Sequence, residues 1–203
     1  MGEENIFKKF WNFLKKDSWW SFVVTLILAF IVIKFILFPL LTWVTGASLP
    51  LVIVESCSMN HKGFLGGNFD NYWATHGSWY EQKGITKEQF QEFSFTQGMK
   101  MGDIIIVYNK APPKLGDVII FNAGSGNPII HRVVSLNPLQ TKGDNNLAQL
   151  TPTNNPGRVD ETSISQSQIM GKSVFKIPRL GWVKLGFVKL FQFFSGTPSG
   201  SWC

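Results

Sequence analysis

Residues 102–121 read Gly102-Asp103-Ile104-Ile105-Ile106-Val107-Tyr108, then Asn109-Lys110-Ala111-Pro112-Pro113-Lys114-Leu115, then Gly116-Asp117-Val118-Ile119-Ile120-Phe121. Each Gly-Asp pair is a turn signal, and each launches a short apolar run rich in β-branched residues. Such runs are too short for stable helices and suit buried strands. The Pro-Pro loop between the two echoing runs predicts a hairpin. Similar runs recur at 51–54, 129–136 and 174–177, separated by Pro, Gly and Asn clusters. Residues 46 onward therefore read as a mainly β domain built from short antiparallel strands.

Three stretches differ from this texture. Residues 62–100 are aromatic-rich (Phe64, Phe69, Tyr72, Trp73, Trp79, Tyr80) and contain Thr86-Lys87-Glu88-Gln89-Phe90. Thr86 with Gln89 three residues later is a capping box, so the segment reads as a small, partly helical insertion or lid. Residues 143–168 are polar and read as a surface loop. From Gly171 to the end there are five basic residues and no acidic one, and residues 182–194 are largely apolar. Basic residues beside Trp and Phe suit an anionic lipid surface over 178–194; a final strand with a frayed tail is the other reading.

Of the 203 residues, 44% are hydrophobic and only 16% charged, which excludes disorder for most of the chain. The excess apolarity sits near the N-terminus. Residues 18–33 carry no charge, and 20–41 span 22 residues, about 33 Å as a helix and enough to cross a bilayer core. Trp19, Trp20 and Trp43 flank the run as an interfacial belt does, and the Lys34 stem reaches toward the nearer interface. The run exceeds the roughly 7–15 apolar residues of a cleavable leader and lacks a small-x-small site after it. A retained single-pass anchor over 18–45 is expected. Lys8, Lys9, Lys15 and Lys16 precede it, and the next basic residue beyond it is Lys62, so residues 1–17 are expected in the cytoplasm and 46–203 outside the cell membrane. The net charge of +6 sits largely toward the two ends rather than along one recognition element, which argues against nucleic acid as a partner.

An exported, tethered domain has no ATP supply, which favours hydrolysis. Ser56-Cys57-Ser58-Met59 follows the strand-like 51–54 and lies only 17 residues past Leu41. A serine nucleophile needs a base, and the chain holds three histidines, His61, His76 and His131. His131 stands inside the apolar run Ile129-Ile130-His131-Arg132-Val133-Val134 and is the candidate general base. The three histidines show no zinc-like spacing, and no metal or organic cofactor is expected.

The order of these motifs resembles the type I signal peptidases: an apolar anchor, Ser56-Cys57-Ser58-Met59, Gly102-Asp103, Gly116-Asp117, His131-Arg132-Val133-Val134, then Lys142-Gly143-Asp144-Asn145-Asn146 and the Gly171–184 tail. Bacterial members carry a lysine where His131 stands, so the chain looks like the archaeal and endoplasmic-reticulum branch. The resemblance implies a β-sheet catalytic domain with Ser58 as nucleophile and His131 as base. It implies an oxyanion site at the Ser58 amide and the Ser56 hydroxyl, and Asp144 as the acid. It also implies signal-peptide removal from exported preproteins after small residues, beside the lipid bilayer and the protein translocon.

Three departures accompany the likeness. His61 replaces a proline, leaving it as an alternative base. Cys57 replaces a glycine and reads as a small buried filler or, with Cys203, as half of a pair. Leu150 stands where this branch often has a second aspartate, so Asp160 is the alternative acid. The expected function is a membrane-bound serine endopeptidase. An inactive or complex-dependent adaptor of the same fold, and a maturation peptidase for pilin-like or conjugation substrates, are the alternatives.

Overall fold

The computed structural model describes residues 5–61, 69–124, 126–154 and 159–195. They divide into two compact units, one ending at Val44 and the other beginning at Thr45.

The first unit is helical. A short helix α1 (Ile6–Leu14) is capped by the Asn5 side chain, which accepts from the Phe7 amide. After a turn, α2 (Trp19–Val32) passes through one π-helical stretch, Ile33–Leu37, into α3 (Phe38–Thr45). Pro39 has no amide hydrogen to bond one turn back, and the wider turn just before it absorbs that lost bond. Trp19–Thr45 is the one helix among the described residues long and apolar enough to cross a membrane.

Among the described residues, the second unit holds an antiparallel six-stranded sheet and three helices. The strands are β1 (Leu51–Ile53), β2 (Ile104–Tyr108), β3 (Val118–Phe121), β4 (Ile129–Leu136), β5 (Leu139–Lys142) and β6 (Ile169–Ile177). Their spatial order is β1-β2-β6-β3-β4-β5. The mainly β reading holds, but the expected hairpin does not form. β6 lies between β2 and β3 and pairs antiparallel with both, so β2 and β3 run parallel. Parallel strands with a third strand between them cannot be joined by a tight turn, and the Pro112-Pro113 loop is a crossing connection instead. β5 escaped the sequence reading because Leu139-Gln140-Thr141-Lys142 has little hydrophobic signal, and β6 begins five residues before the expected run at 174.

Consecutive residues of β4 face opposite sides of the sheet. Ile119, Phe121 and Val133 form one core with Val159, Ile164 and the half-buried Leu139 and Leu150. On the other side, Val134 joins an aromatic core of Tyr72, Trp73, Tyr80, Ile85 and Phe90. That second core comes from α4 (Phe69–Gln82) and α5 (Lys87–Gln91), with the expected Thr86–Gln89 capping box in place. The described part of the 62–100 segment is thus built into the core. Its residues 62–68, including Lys62 and Phe64, lie outside the described residues. The 143–168 stretch is no simple surface loop either: Asp144, Gln149, Val159, Glu161 and Ile164 are buried. Residues 182–194, left between two readings, form a helix, α6 (Trp182–Ser195), that buries Leu185 and leaves Phe187, Leu190, Phe191 and Phe194 exposed.

Candidate active site

An open cleft of about 750 Å³ runs beside β1. Residues 51–56, Ser58, Met59, residues 127–131, Asn146, Leu150 and Lys184 line it. β1 is an edge strand with β2 as its single neighbour, so the cleft borders a strand edge. Ser58 and His131, brought together from positions far apart in the chain, open onto it; Ser56 joins them, its hydroxyl 3.1 Å from that of Ser58.

The serine-bearing turn is fixed from two sides. Asn60 closes it by donating its amide to the Cys57 carbonyl at 3.0 Å. From across the fold, the Asn145 amide donates to the Ser58 carbonyl at 2.7 Å and the Asn145 side chain to that of Cys57 at 3.1 Å. Cys57 is half-buried rather than a buried filler; Cys203, the other cysteine, lies outside the described residues.

Register decides what each polar residue of β4 meets. His131 stands opposite Ile119, and Arg132 opposite Val118 on one side and Lys142 on the other. His131 thus shares the Val133 and Thr141 face, while Arg132 shares the Val134 and Lys142 face. Each has its own carboxylate.

On the first face, His131 Nδ1 and Glu161 Oε1 lie 2.5 Å apart, both side chains buried. Glu161 also accepts from the Thr141 hydroxyl at 3.1 Å and, through Oε2, from the Leu150 amide at 2.6 Å. A carboxylate only accepts, so Nδ1 carries a proton, and in the neutral imidazole Nε2 then carries the lone pair. Nε2 faces Gly143, where an added Cβ would come within 2.8 Å of it and 2.9 Å of the Ser58 carbonyl.

On the second face, Asp144 is saturated. Its Oδ1 accepts from Arg132 Nε at 2.9 Å and Tyr80 at 3.1 Å, and its Oδ2 from Arg132 Nη2 at 2.7 Å and His61 at 3.0 Å. Burial alone would raise this carboxyl, but Arg132 and the donated hydrogen bonds hold it well below the usual range. The five Arg132 N–H groups are all used: three go to the carbonyls of Ser94, Phe95 and Gly116, the rest to Asp144. Lys142 is also buried, its ammonium over the Trp79 and Tyr80 rings and donating to the Gly143 and Asp144 carbonyls. Burial lowers its amine to about 8.

The structure places neither expected acid, Asp144 nor Asp160, on His131. Asp144 does not meet His131, because its four acceptor directions are taken on the far side of β4. Asp160 is exposed and caps Thr162, accepting from its amide at 2.9 Å and its hydroxyl at 2.6 Å. Glu161, one residue on, is the carboxylate on the imidazole. It was missed because an isolated Asp160-Glu161 pair in a polar stretch looks like solvated charge. His61, the alternative base, is 1% exposed, bonded to Asp144 and stacked on Tyr72 at 3.7 Å, away from the cleft lining. Among the described residues, no cluster of three or more His, Cys, Asp or Glu side chains gathers to hold a metal. The arrangement supplies a hydroxyl, an imidazole of fixed tautomer and a groove for an extended chain, the groups that acyl transfer from a peptide requires.

A mainly β unit whose Ser and His open onto an edge-strand cleft, the His bonded to a buried carboxylate, preceded by a long apolar helix, is the class this chain defines. The chain is homologous to the signal peptidase complex catalytic subunit SEC11 of Ajellomyces capsulatus. Proteins of strains NAm1 / WU24, G186AR and H143 are each 28% identical over 112 residues, covering 45% of this chain. The chain spans 59% of the length of these curated relatives. No family model matches it. This homology agrees with the likeness that the motif order implied.

Proposed function

We propose that the chain is a membrane-anchored serine endopeptidase that removes N-terminal signal peptides from exported preproteins. The observation that carries this reading is His131, paired with the buried Glu161 and opening with Ser58 onto a cleft bordered by the β1 edge. An extended substrate adds to that edge by main-chain hydrogen bonds. Ser58 Oγ attacks the carbonyl carbon of the scissile bond while its proton passes to His131 Nε2. The Ser58 amide and the Ser56 hydroxyl stabilise the oxyanion. The C–N bond then breaks, the imidazolium returns the proton to the leaving amine, and water hydrolyses the Ser58 ester by the same route. Glu161 keeps the Nδ1 proton in place and stabilises the imidazolium. Asp144 and Arg132 act behind the site, holding the 142–146 loop that in turn pins the Ser58 turn.

Trp19–Thr45 serves as the membrane span, with the lysines before it on the cytoplasmic side and the second unit outside. The exposed apolar side of α6 and its Lys184 and Lys189 support a membrane-surface role for 178–194. The relatives are catalytic subunits of a signal peptidase complex, which favours companion subunits here too.

Cleavage of a preprotein by detergent-solubilised protein tests the reading. Wild type is expected to cut at the signal-peptide junction, and Ser58→Ala and His131→Ala to lose that cut. A Ser58→Ala variant that still cuts sinks the reading. Purified wild type that cuts nothing, beside a membrane extract that does, shows the complex to be obligatory.

A further inference from the structure

The N-terminal lysines do more than count as positive charge, because α1 sorts them. At about 100° per residue, Ile6, Phe7, Phe10, Trp11, Phe13 and Leu14 fall within one arc of about 160°. Lys8, Lys9, Asn12 and, at the C-cap, Lys15 occupy the opposite arc, with Lys16 in the turn beyond. No residue of α1 is buried. Ile6, Phe7, Phe10 and Trp11 are exposed, Ile6 by 84%, and the Phe7 and Trp11 rings stack on one another at 6.3 Å. Phe13 and Leu14 are half-buried.

A helix of nine residues is too short to persist in water on its own propensity. Something must cover the apolar arc. α1 is joined to the apolar helix by a four-residue turn, closed where the Ser21 hydroxyl donates to the Leu14 carbonyl at 2.8 Å. The surface that begins where that helix enters the bilayer is the nearest apolar–polar boundary. Four lysines around the helix select a boundary of negative sign.

We propose that α1 is an interfacial helix lying on the anionic phospholipid leaflet that α2 enters. Its Phe and Trp side chains rest among the acyl chains, and Lys8, Lys9, Lys15 and Lys16 pair with lipid phosphates. This inference rests on the reading of Trp19–Thr45 as a span. It makes residues 5–17 a second, lipid-selective attachment that fixes the depth and rotation of the span.

Hydrogen exchange of the full chain in nanodiscs tests it, comparing phosphatidylcholine alone with phosphatidylcholine plus phosphatidylglycerol. The amides of 8–14 are expected to exchange at least about tenfold more slowly in the anionic discs. Replacing the four lysines (K8Q, K9Q, K15Q, K16Q) should abolish the difference between the two lipids. Phe7→Ser with Phe10→Ser should remove protection in both. Exchange over β3 reports, in the same samples, that the second unit stays folded. Equal rates in the two lipids overturn the proposal, as does protection that follows the number of copies per disc and so assigns the apolar arc to a second chain. Alkaline carbonate extraction separates the two readings: a chain released from membranes overturns the span and this inference together. A retained chain with unprotected α1 overturns this inference alone.

Discussion

Leu150 and Glu161 hold one another across a polar excursion of the chain. The Leu150 amide donates to Glu161 Oε2 at 2.6 Å, and the Glu161 amide donates back to the Leu150 carbonyl at 2.9 Å. The position where the related branch often has an aspartate therefore lies directly beside the carboxylate that His131 uses. Glu161→Gln is expected to lower kcat on the order of 10³-fold or more with little change in KM, because an amide can turn its NH2 to Nδ1 and favour the wrong tautomer. Asp160→Ala should leave cleavage unchanged. Glu161→Asp should retain part of the activity, and Leu150→Asp in a Glu161→Ala background should recover part of it. Preprotein cleavage kinetics decide the matter; equal losses in the Asp160 and Glu161 variants would refute the assignment.

Asp144 is expected to behave as a structural residue. Asp144→Asn leaves the fully buried Arg132 without its charge partner, a change that costs about 3–5 kcal/mol of stability. Denaturant unfolding of the purified protein should show this loss. A variant with wild-type stability and no activity would instead place Asp144 in the chemistry.

Gly143 is needed for closeness rather than for backbone freedom. A Cβ there meets His131 Nε2 at 2.8 Å and the Ser58 carbonyl at 2.9 Å, so Gly143→Ala must move the imidazole or the serine turn. We expect kcat to drop by about 10²-fold, the scale of an ångström misplacement, with the melting temperature changed far less.

Lys142 gives a pH signature. The unfolded chain keeps this proton to about pH 10.4, while the folded protein, with the amine buried, sheds it at about 8. Between those values the unfolded state binds more protons, so stability rises with pH, by up to about 3 kcal/mol. Equilibrium unfolding from pH 7 to 10 should show that rise in wild type and not in Lys142→Met. Matching slopes in the two proteins would mean that Lys142 titrates as if solvated.

Much of this protein was legible in its residues. The apolar run ahead of Thr45, the strand runs at 104–108 and 118–121 and the Thr86–Gln89 capping box all follow from local pattern, while Ser58 and His131 were singled out by the order of motifs along the chain. Period, length and turn chemistry act over a few neighbouring residues, and a sequence displays them directly. Strand order was not legible, since β6 inserts between β2 and β3 from more than forty residues away and no local feature of either strand announces it. Nor was the partner of His131. Asp144, Asp160 and Glu161 are alike as letters, and their roles separate only once β4 alternates its side chains. His131 then meets Glu161 on one face, and Arg132 saturates Asp144 on the other. The sequence determined which chemical groups the chain carries and which segments become strands or helices. Tertiary pairing alone decided which carboxylate serves the histidine, because that depends on the face of a sheet each residue reaches.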